Sequence, residues 1–501
     1  MATTTLAGCI ALIGPDAKAT EGPVDIVIDG RRISAIRPAG VAAPEGTVID
    51  ARRRLVTPGL INGHFHSHEH FHKGRYDNLP LELWMNYVRP PKPIPFTVRQ
   101  VYLRTMIGAI EALRSGTTTV CDDVNVAPIL HRDHVEAVFQ AYEDAGIRAH
   151  VGITLFDKPF FRGMPFVDEE FPEDLLRALS GTPATPPEEI LAFARELAAT
   201  RHPRRNRVGY IAAPSAPQRC TEGFLRQVRA MADEFDLPVM MHVQETRLQV
   251  VTGHLLFGST MVEYLDRLGF LTPKTALIHC IWLNPREIGI LARAGVTVQH
   301  NPTCNLKVGS GIAPLRALLD AGVNVSLGTD GCGSVETTDM QKAVLTAALL
   351  QKIRGSDHRR WVGAEEAWAA GTIGGARALG RDDELGAVAV GRIADLAAYR
   401  LDSIPFTPLN NLLRQLVYAE TGANLDMVFV DGEPVVMNGR LTRVDESALL
   451  SEIAAEHATL LPLIEEAERS VEPIRAAYQR IYDRCQAAGI AADTFPARLP
   501  D

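Results

Sequence analysis

Pro58-Gly59-Leu60-Ile61-Asn62-Gly63-His64-Phe65-His66 is an apolar run that ends on two imidazoles. On a strand, residues two apart share a face, so His64 and His66 can reach one ion while Phe65 points away. Three later runs end the same way. Leu237-Pro238-Val239-Met240-Met241 precedes His242, Thr275-Ala276-Leu277-Ile278 precedes His279, and Val325-Ser326-Leu327-Gly328-Thr329 precedes Asp330. A metal ligand at the end of a buried strand, repeated around one chain, describes a metal held at one mouth of a closed barrel.

The stretch between these runs alternates strands and helices. Buried-strand candidates fall at 59–66, 117–123, 148–154, 208–214, 238–244, 275–281, 296–302 and 324–330. Helical stretches lie between most of them, among them Phe224–Glu234, Met261–Leu268, Pro285–Ala294 and Ala313–Ala321. Gly146, Gly295 and Gly322 stand where helices stop before the next strand. This βα rhythm predicts an α/β fold, a (β/α)8 TIM-type barrel. A doubly wound sheet is disfavoured, because ligands on the first, fifth, sixth and eighth strands meet only if the sheet closes.

The two ends of the chain look alike. Asp25-Ile26-Val27-Ile28-Asp29-Gly30-Arg31-Arg32-Ile33 reads as a hairpin with an Asp-Gly turn, and Met427–Val436 repeats the device around Asp431-Gly432. Ala394–Tyr399 adds a further strand. The reading is a small composite β-sandwich from residues 1–57 and 386–445, a metal-dependent barrel at 58–385, and a helical extension at 446–501. Phe156–Pro187, rich in Pro, Phe and acidic residues, is expected as a loop or short helices over the barrel mouth.

Composition excludes several classes. The chain has 501 residues, 46% hydrophobic and 22% charged, with a formal net charge of −9, and no basic block suits a nucleic-acid surface. Seven cysteines without a Cys-x-x-Cys suit a reducing, cytoplasmic setting rather than a disulfide framework. No apolar run reaches the roughly 20 residues of a membrane helix. Leu6-Ala7-Gly8-Cys9 resembles a lipoprotein cleavage box, but too little precedes it for a signal segment, so it reads as part of a first strand.

The donors are nitrogen and oxygen, which suits Zn²⁺ or Fe²⁺ rather than a thiolate site. Such an ion lowers the pKa of a bound water from 15.7 towards about 7. In His242-Val243-Gln244-Glu245 the imidazole can bind the ion while the carboxylate stands beside its water. His279 can be a ligand or a hydrogen-bonding partner of that water, and Asp330 can both ligate and accept a proton. His68, His70 and His72 are expected outside the ligand set, because the strand has ended by then. The fourth strand, Val208–Pro214, has no lysine that could bridge a second ion, so one metal is expected.

Taken with His300-Asn301-Pro302-Thr303-Cys304-Asn305 and Gly391-Arg392-Ile393-Ala394-Asp395-Leu396, these pieces resemble the amidohydrolase superfamily. The nearest branch is that of the triazine hydrolases and the guanine and adenosylhomocysteine deaminases. The resemblance implies His64, His66, His242 and Asp330 as ligands, Glu245 as proton shuttle, and His279 positioning the water. It implies deamination of an aminated N-heterocycle, purine-, pterin-, pyrimidine- or triazine-like. Displacement of halide or alkylamine and opening of a cyclic amide are the alternatives on the same scaffold, and a non-catalytic scaffold is the third. Cys304 stands where the family pattern has Ser. Trp84, Asn305 and Ser334 are candidate substrate contacts, and a homodimer or a larger homo-oligomer is expected.

Overall fold

The structure, a computed structural model, describes residues 3–498. The outermost residues of both terminal segments, 1–2 and 499–501, lie outside the described residues.

Strands β1 (Thr3–Ile13), β2 (Lys18–Ala19), β3 (Val24–Asp29), β4 (Arg32–Pro38), β5 (Thr47–Asp50) and β6 (Arg54–Pro58) open the chain. The barrel strands follow: β7 (Leu60–Phe65), β8 (Thr117–Val124), β9 (Arg148–Leu155), β10 (Val208–Tyr210) with β11 (Ala213–Pro214), β12 (Val239–Val243), β13 (Thr275–His279), β14 (Thr297–His300) and β15 (Asn324–Leu327). Their neighbours are parallel throughout, in the order β7-β8-β9-β10 and β12-β13-β14-β15. β8 and β9 are buried along their whole length, as parallel strands covered on both faces must be.

Two seams close the barrel. The fourth strand meets the fifth through a bridge between Ala212 and Val239 and a bond from His242 N to the Ser215 carbonyl at 3.1 Å. The eighth meets the first through Asp330 N, which donates to the His64 carbonyl at 3.0 Å. The Asn62 amide completes that seam. Its Nδ2 donates to Thr329 Oγ1 at 2.8 Å and its Oδ1 accepts from Thr329 N at 3.1 Å.

Helices cover the outside, and their ends follow local chemistry. Pro285–Ala294 starts on an Asn284/Glu287 capping box and stops at Gly295, whose φ of 68° only glycine adopts freely. The floor of the barrel is filled by Ile61, Cys121, Ile211, Met240 and Ile278.

The terminal strands form one mixed sheet, completed by β16 (Leu396–Arg400), β17 (Leu425–Val430), β18 (Glu433–Met437) and β19 (Arg440–Leu441). The expected sandwich is thus built from a single ten-stranded sheet. Long β1 pairs with β3 along one part and β6 along another, with an irregularity between Leu6 and Cys9. Leu6, Ile26 and Ile33 from one half share an apolar cluster with Leu396, Met427 and Phe429 from the other.

Arg148, at the start of β9, ties the barrel to this sheet. It is 1% exposed and reaches Asp395 at 2.9 Å and Asp431 at 2.5 Å. The extension is two helices, Glu446–Arg469 and Glu472–Ala487. The second places Ile474, Tyr478 and Ile481 against Leu83, Phe161, Met164 and Leu248, which border the barrel mouth.

Arg148→Met would leave Asp395 and Asp431 buried without their shared cation. A loss of about 3–5 kcal/mol, the usual cost of breaking a buried pair, is expected in urea unfolding at neutral pH. Burial alone would raise the Asp431 pKa, but Arg148, then Arg31 and Arg207, hold it below its ordinary value. A depressed carboxyl contributes stability above its unfolded pKa of about 3.9 and loses it as pH falls through the folded value. The gap between wild type and variant should therefore narrow in acid.

Candidate metal centre

Plain alternation along β7 would turn His64 and His66 away from Ile61, which faces the barrel floor. The register of β7 against β8 shifts between Asn62 and Phe65, and this irregularity brings the two imidazoles to the centre. The other strand ends turn their side chains by backbone twist. His279, Asp330 and Gln244 have φ of 73°, 74° and 49°, a region costing non-glycine residues about 1–3 kcal/mol.

The ring nitrogens of His64, His66 and His242 approach within 4.8 Å of one another. Asp330 Oδ1 lies 3.7 Å from His64 Nε2 and 3.4 Å from His66 Nε2. Donors about 2.0–2.2 Å from a tetrahedral ion stand about 3.3–3.6 Å apart, close to the separations of Asp330 from His64 and His66. Hydrogen bonds orient the rings. His66 Nδ1 meets the Asp123 carbonyl at 2.7 Å and His242 Nδ1 meets the Ser215 carbonyl at 3.0 Å. A carbonyl can only accept, so both Nδ1 atoms carry the proton and both Nε2 atoms offer a lone pair. His64 is fully buried with neither ring nitrogen bonded to the protein.

Electrostatics point the same way. Burial, followed by the neighbouring histidines, holds His64 well below its ordinary pKa. Burial, then Arg89, pushes His242 down to about 4. Neutral imidazoles in a desolvated cluster are what a divalent cation requires.

Around the cluster stand the groups for proton transfer. His279 Nε2 is 3.5 Å from Glu245 Oε2 and 3.6 Å from Asp330 Oδ2. Its Nδ1 donates to Asn305 Oδ1 at 2.9 Å. Burial raises the Glu245 carboxyl well above its ordinary pKa, and Asp330 and Glu82 add to the effect. His68, His70 and His72 continue into a short 3-10 helix, Ser67–His72, beyond the strand. His70 Nδ1 bonds the Ser67 carbonyl and His72 sits beside Tyr76, so neither faces the cluster.

One cavity reaches His66, His242, Glu245, His279 and Asp330. Trp84 and Ser334 line it, though each spends its polar group on the protein: Trp84 Nε1 donates to the Gly333 carbonyl and Ser334 Oγ to the Gly331 carbonyl, both at 2.9 Å. Asn305, expected among the substrate contacts, lies behind His279 and off the cavity wall. Its amide serves the imidazole instead. Cys304 lines the cavity close to Glu245 and Asp330. Sequence reasoning missed Glu82, Arg89 and Arg219 on the same wall. The only signal for Glu82 was a carboxylate set among Leu81, Leu83 and Trp84; Arg89 and Arg219 carried none.

The Amidohydrolase family model matches residues 55–435, and the chain belongs to that family of hydrolases acting on C–N bonds. A 5′-deoxyadenosine deaminase of Methanothermobacter thermautotrophicus is 33% identical, over 87% of this chain and 94% of that protein. A 5-methylthioadenosine/S-adenosylhomocysteine deaminase of Thermococcus kodakarensis is also 33% identical, over 82% and 88%. Among solved structures, an adenosine deaminase from Xanthomonas campestris with bound zinc superposes with a TM-score of 0.79 at 28% identity, covering 97% of this chain and 99% of that one. Triazine hydrolase from Arthrobacter aurescens, at 24% identity and a TM-score of 0.81 over 92% of this chain and 100% of that one, shares the fold. The zinc-bound neighbour indicates a divalent metal as the cofactor class.

Two variants separate ligation from positioning. His64→Asn should lose retained metal in elemental analysis of the purified protein. Asn305→Leu should keep the metal but lower turnover by about 10–100-fold, the usual effect of unhooking a hydrogen-bonded partner of a site histidine.

Proposed function

We propose that the protein is a mononuclear metal-dependent deaminase acting on an aminated N-heterocycle of the purine-nucleoside kind, with zinc the favoured metal over iron. The observation that carries this reading is Glu245. A buried, raised-pKa carboxyl stands on the cavity wall beside the histidine cluster, within 3.5 Å of His279. An acid so placed can protonate the ring nitrogen, as water attack on an aminated ring carbon requires. Relatives that match over most of their length carry deaminase names.

His64, His66, His242 and Asp330 would hold the ion, and its chemistry is Lewis acidity that brings water's pKa towards neutrality. The chain's own groups do the rest. His279, its tautomer set by Asn305, directs Nε2 at the attacking water. Asp330 takes a proton from that water as its oxygen bonds to the ring carbon. Glu245 delivers a proton to the adjacent ring nitrogen, the proton taken by Asp330 passes to the exocyclic amine, and the new hydroxyl on the ring carbon returns a proton to Glu245. The C–N bond then breaks and ammonia leaves. Glu82, whose Oε1 is buried without a partner, supplies an acceptor for a substrate hydroxyl. The free, buried state of all seven cysteines supports a reducing, cytoplasmic setting.

Ammonia release across adenosine derivatives, pterins, aminopyrimidines and aminotriazines tests the reading. A purine nucleoside should release ammonia fastest. Turnover confined to halide or cyclic-amide substrates would overturn it. Glu245→Gln should retain the metal and lose on the order of 10²–10⁴ in kcat, the span of general acid–base groups.

A further inference from the structure

Two guanidinium groups face the same cavity without a counter-ion among the described residues. Arg89 follows the helix Leu81–Val88 that carries Glu82 and Trp84. Among the described residues its side chain makes no hydrogen bond and has no carboxylate within 4.0 Å, and its Nε is buried without a partner. It lines the cavity together with His66 and His242. Arg219 follows β11 and is 6% exposed. Its Nε donates to the Lys158 carbonyl at 3.1 Å, while its two terminal nitrogens have no hydrogen-bond partner among the described residues.

Arg219 is held rigidly. Its guanidinium lies 4.3 Å from the Phe156 ring centroid and 5.4 Å from that of Phe160. Phe160 in turn stacks on Tyr478 of the helical extension. Arg89 and Arg219 line the same cavity, so two cations share one desolvated space, and burial and then Arg89 push the Arg219 pKa down to about 9. Desolvating like charges together is costly unless an anion joins them. Carboxylates that could have served, such as Glu82 and Glu245, lie on the same wall but outside ion-pair range.

The geometry points to an anion subsite: Arg89 and Arg219 receive an acidic group, carboxylate or phosphate, on the part of the substrate remote from its ring amine. This rests on the deaminase reading and narrows its substrate to heterocycles with an anionic substituent. A guanidinium fork matches either group, since both offer paired oxygens. The extension contributes by bracing the Arg219 stack through Tyr478. It also packs on the helix that ends at Arg89.

The test compares kcat/KM of the metal-loaded enzyme on three adenine compounds. S-Adenosylhomocysteine carries a carboxylate, adenosine 5′-monophosphate a phosphate, and 5′-methylthioadenosine neither. One anionic compound should exceed the neutral one, and which one identifies the group. In Arg89→Met the anionic-to-neutral ratio should fall on the order of 10²-fold, chiefly through KM, as expected when one partner of a desolvated charge contact is removed. Arg219→Lys, which keeps the charge but not the fork, should lower the same ratio less. Faster turnover of the neutral compound, or an unchanged ratio in both variants, would overturn the subsite. If none of the three releases ammonia, the adenine reading has failed, and inorganic phosphate decides the subsite by itself. Its binding to the metal-loaded protein, read by calorimetry, should weaken at least tenfold in Arg89→Met if the arginines form the site, and stay unchanged if they do not.

Discussion

The amide of Asn62 joins the first barrel strand to the eighth, bonding Thr329 across 267 residues of sequence. That closure brings His64 to Asp330, with Asp330 N on the His64 carbonyl. Without it the histidines of β7 would face no carboxylate, and the strand-end donors would be four separate groups on an open sheet. Everything chemical in the molecule depends on that seam, and the outer helices and terminal sheet serve to hold it shut.

The seam also explains where the site is strained. Side chains on a strand alternate, so a ring of inward-pointing donors at one level cannot come from alternation alone. The chain solves this by a register shift in β7 and by left-handed backbone at Gln244, His279 and Asp330. A cluster of mutually close, neutral imidazoles with unbonded nitrogens is unfavourable by itself. A cation satisfies those lone pairs at once, so the fold and the ion stabilise each other.

Much of this was legible in the sequence. The eight strands, the two terminal hairpins and the donors at the strand ends all lie near where periodicity and turn residues put them, because buried parallel strands and Asp-Gly turns leave strong local marks. The displacement of His70 and His72 was readable from the strand's end, whereas the His68 ring stays 5.2 Å from that of His66. Less legible were features set by three-dimensional neighbours. Nothing local tells that Asn305 would serve His279, since the two residues belong to different strand ends. Nor does anything local tell that Arg89 and Arg219, 130 residues apart in the chain, would line one cavity. The expected sandwich took shape as one ten-stranded sheet because β1 is long enough to pair in both halves, a length that Gly8 in its middle does not announce.

Anomalous diffraction from crystals of the metal-loaded protein, recorded across the zinc edge, bears most directly on the central claim. One strong peak per chain is expected, within bonding distance of His64 Nε2, His66 Nε2, His242 Nε2 and an Asp330 carboxylate oxygen. Two peaks of similar height in the barrel mouth, or a single peak ligated by other residues, would contradict it.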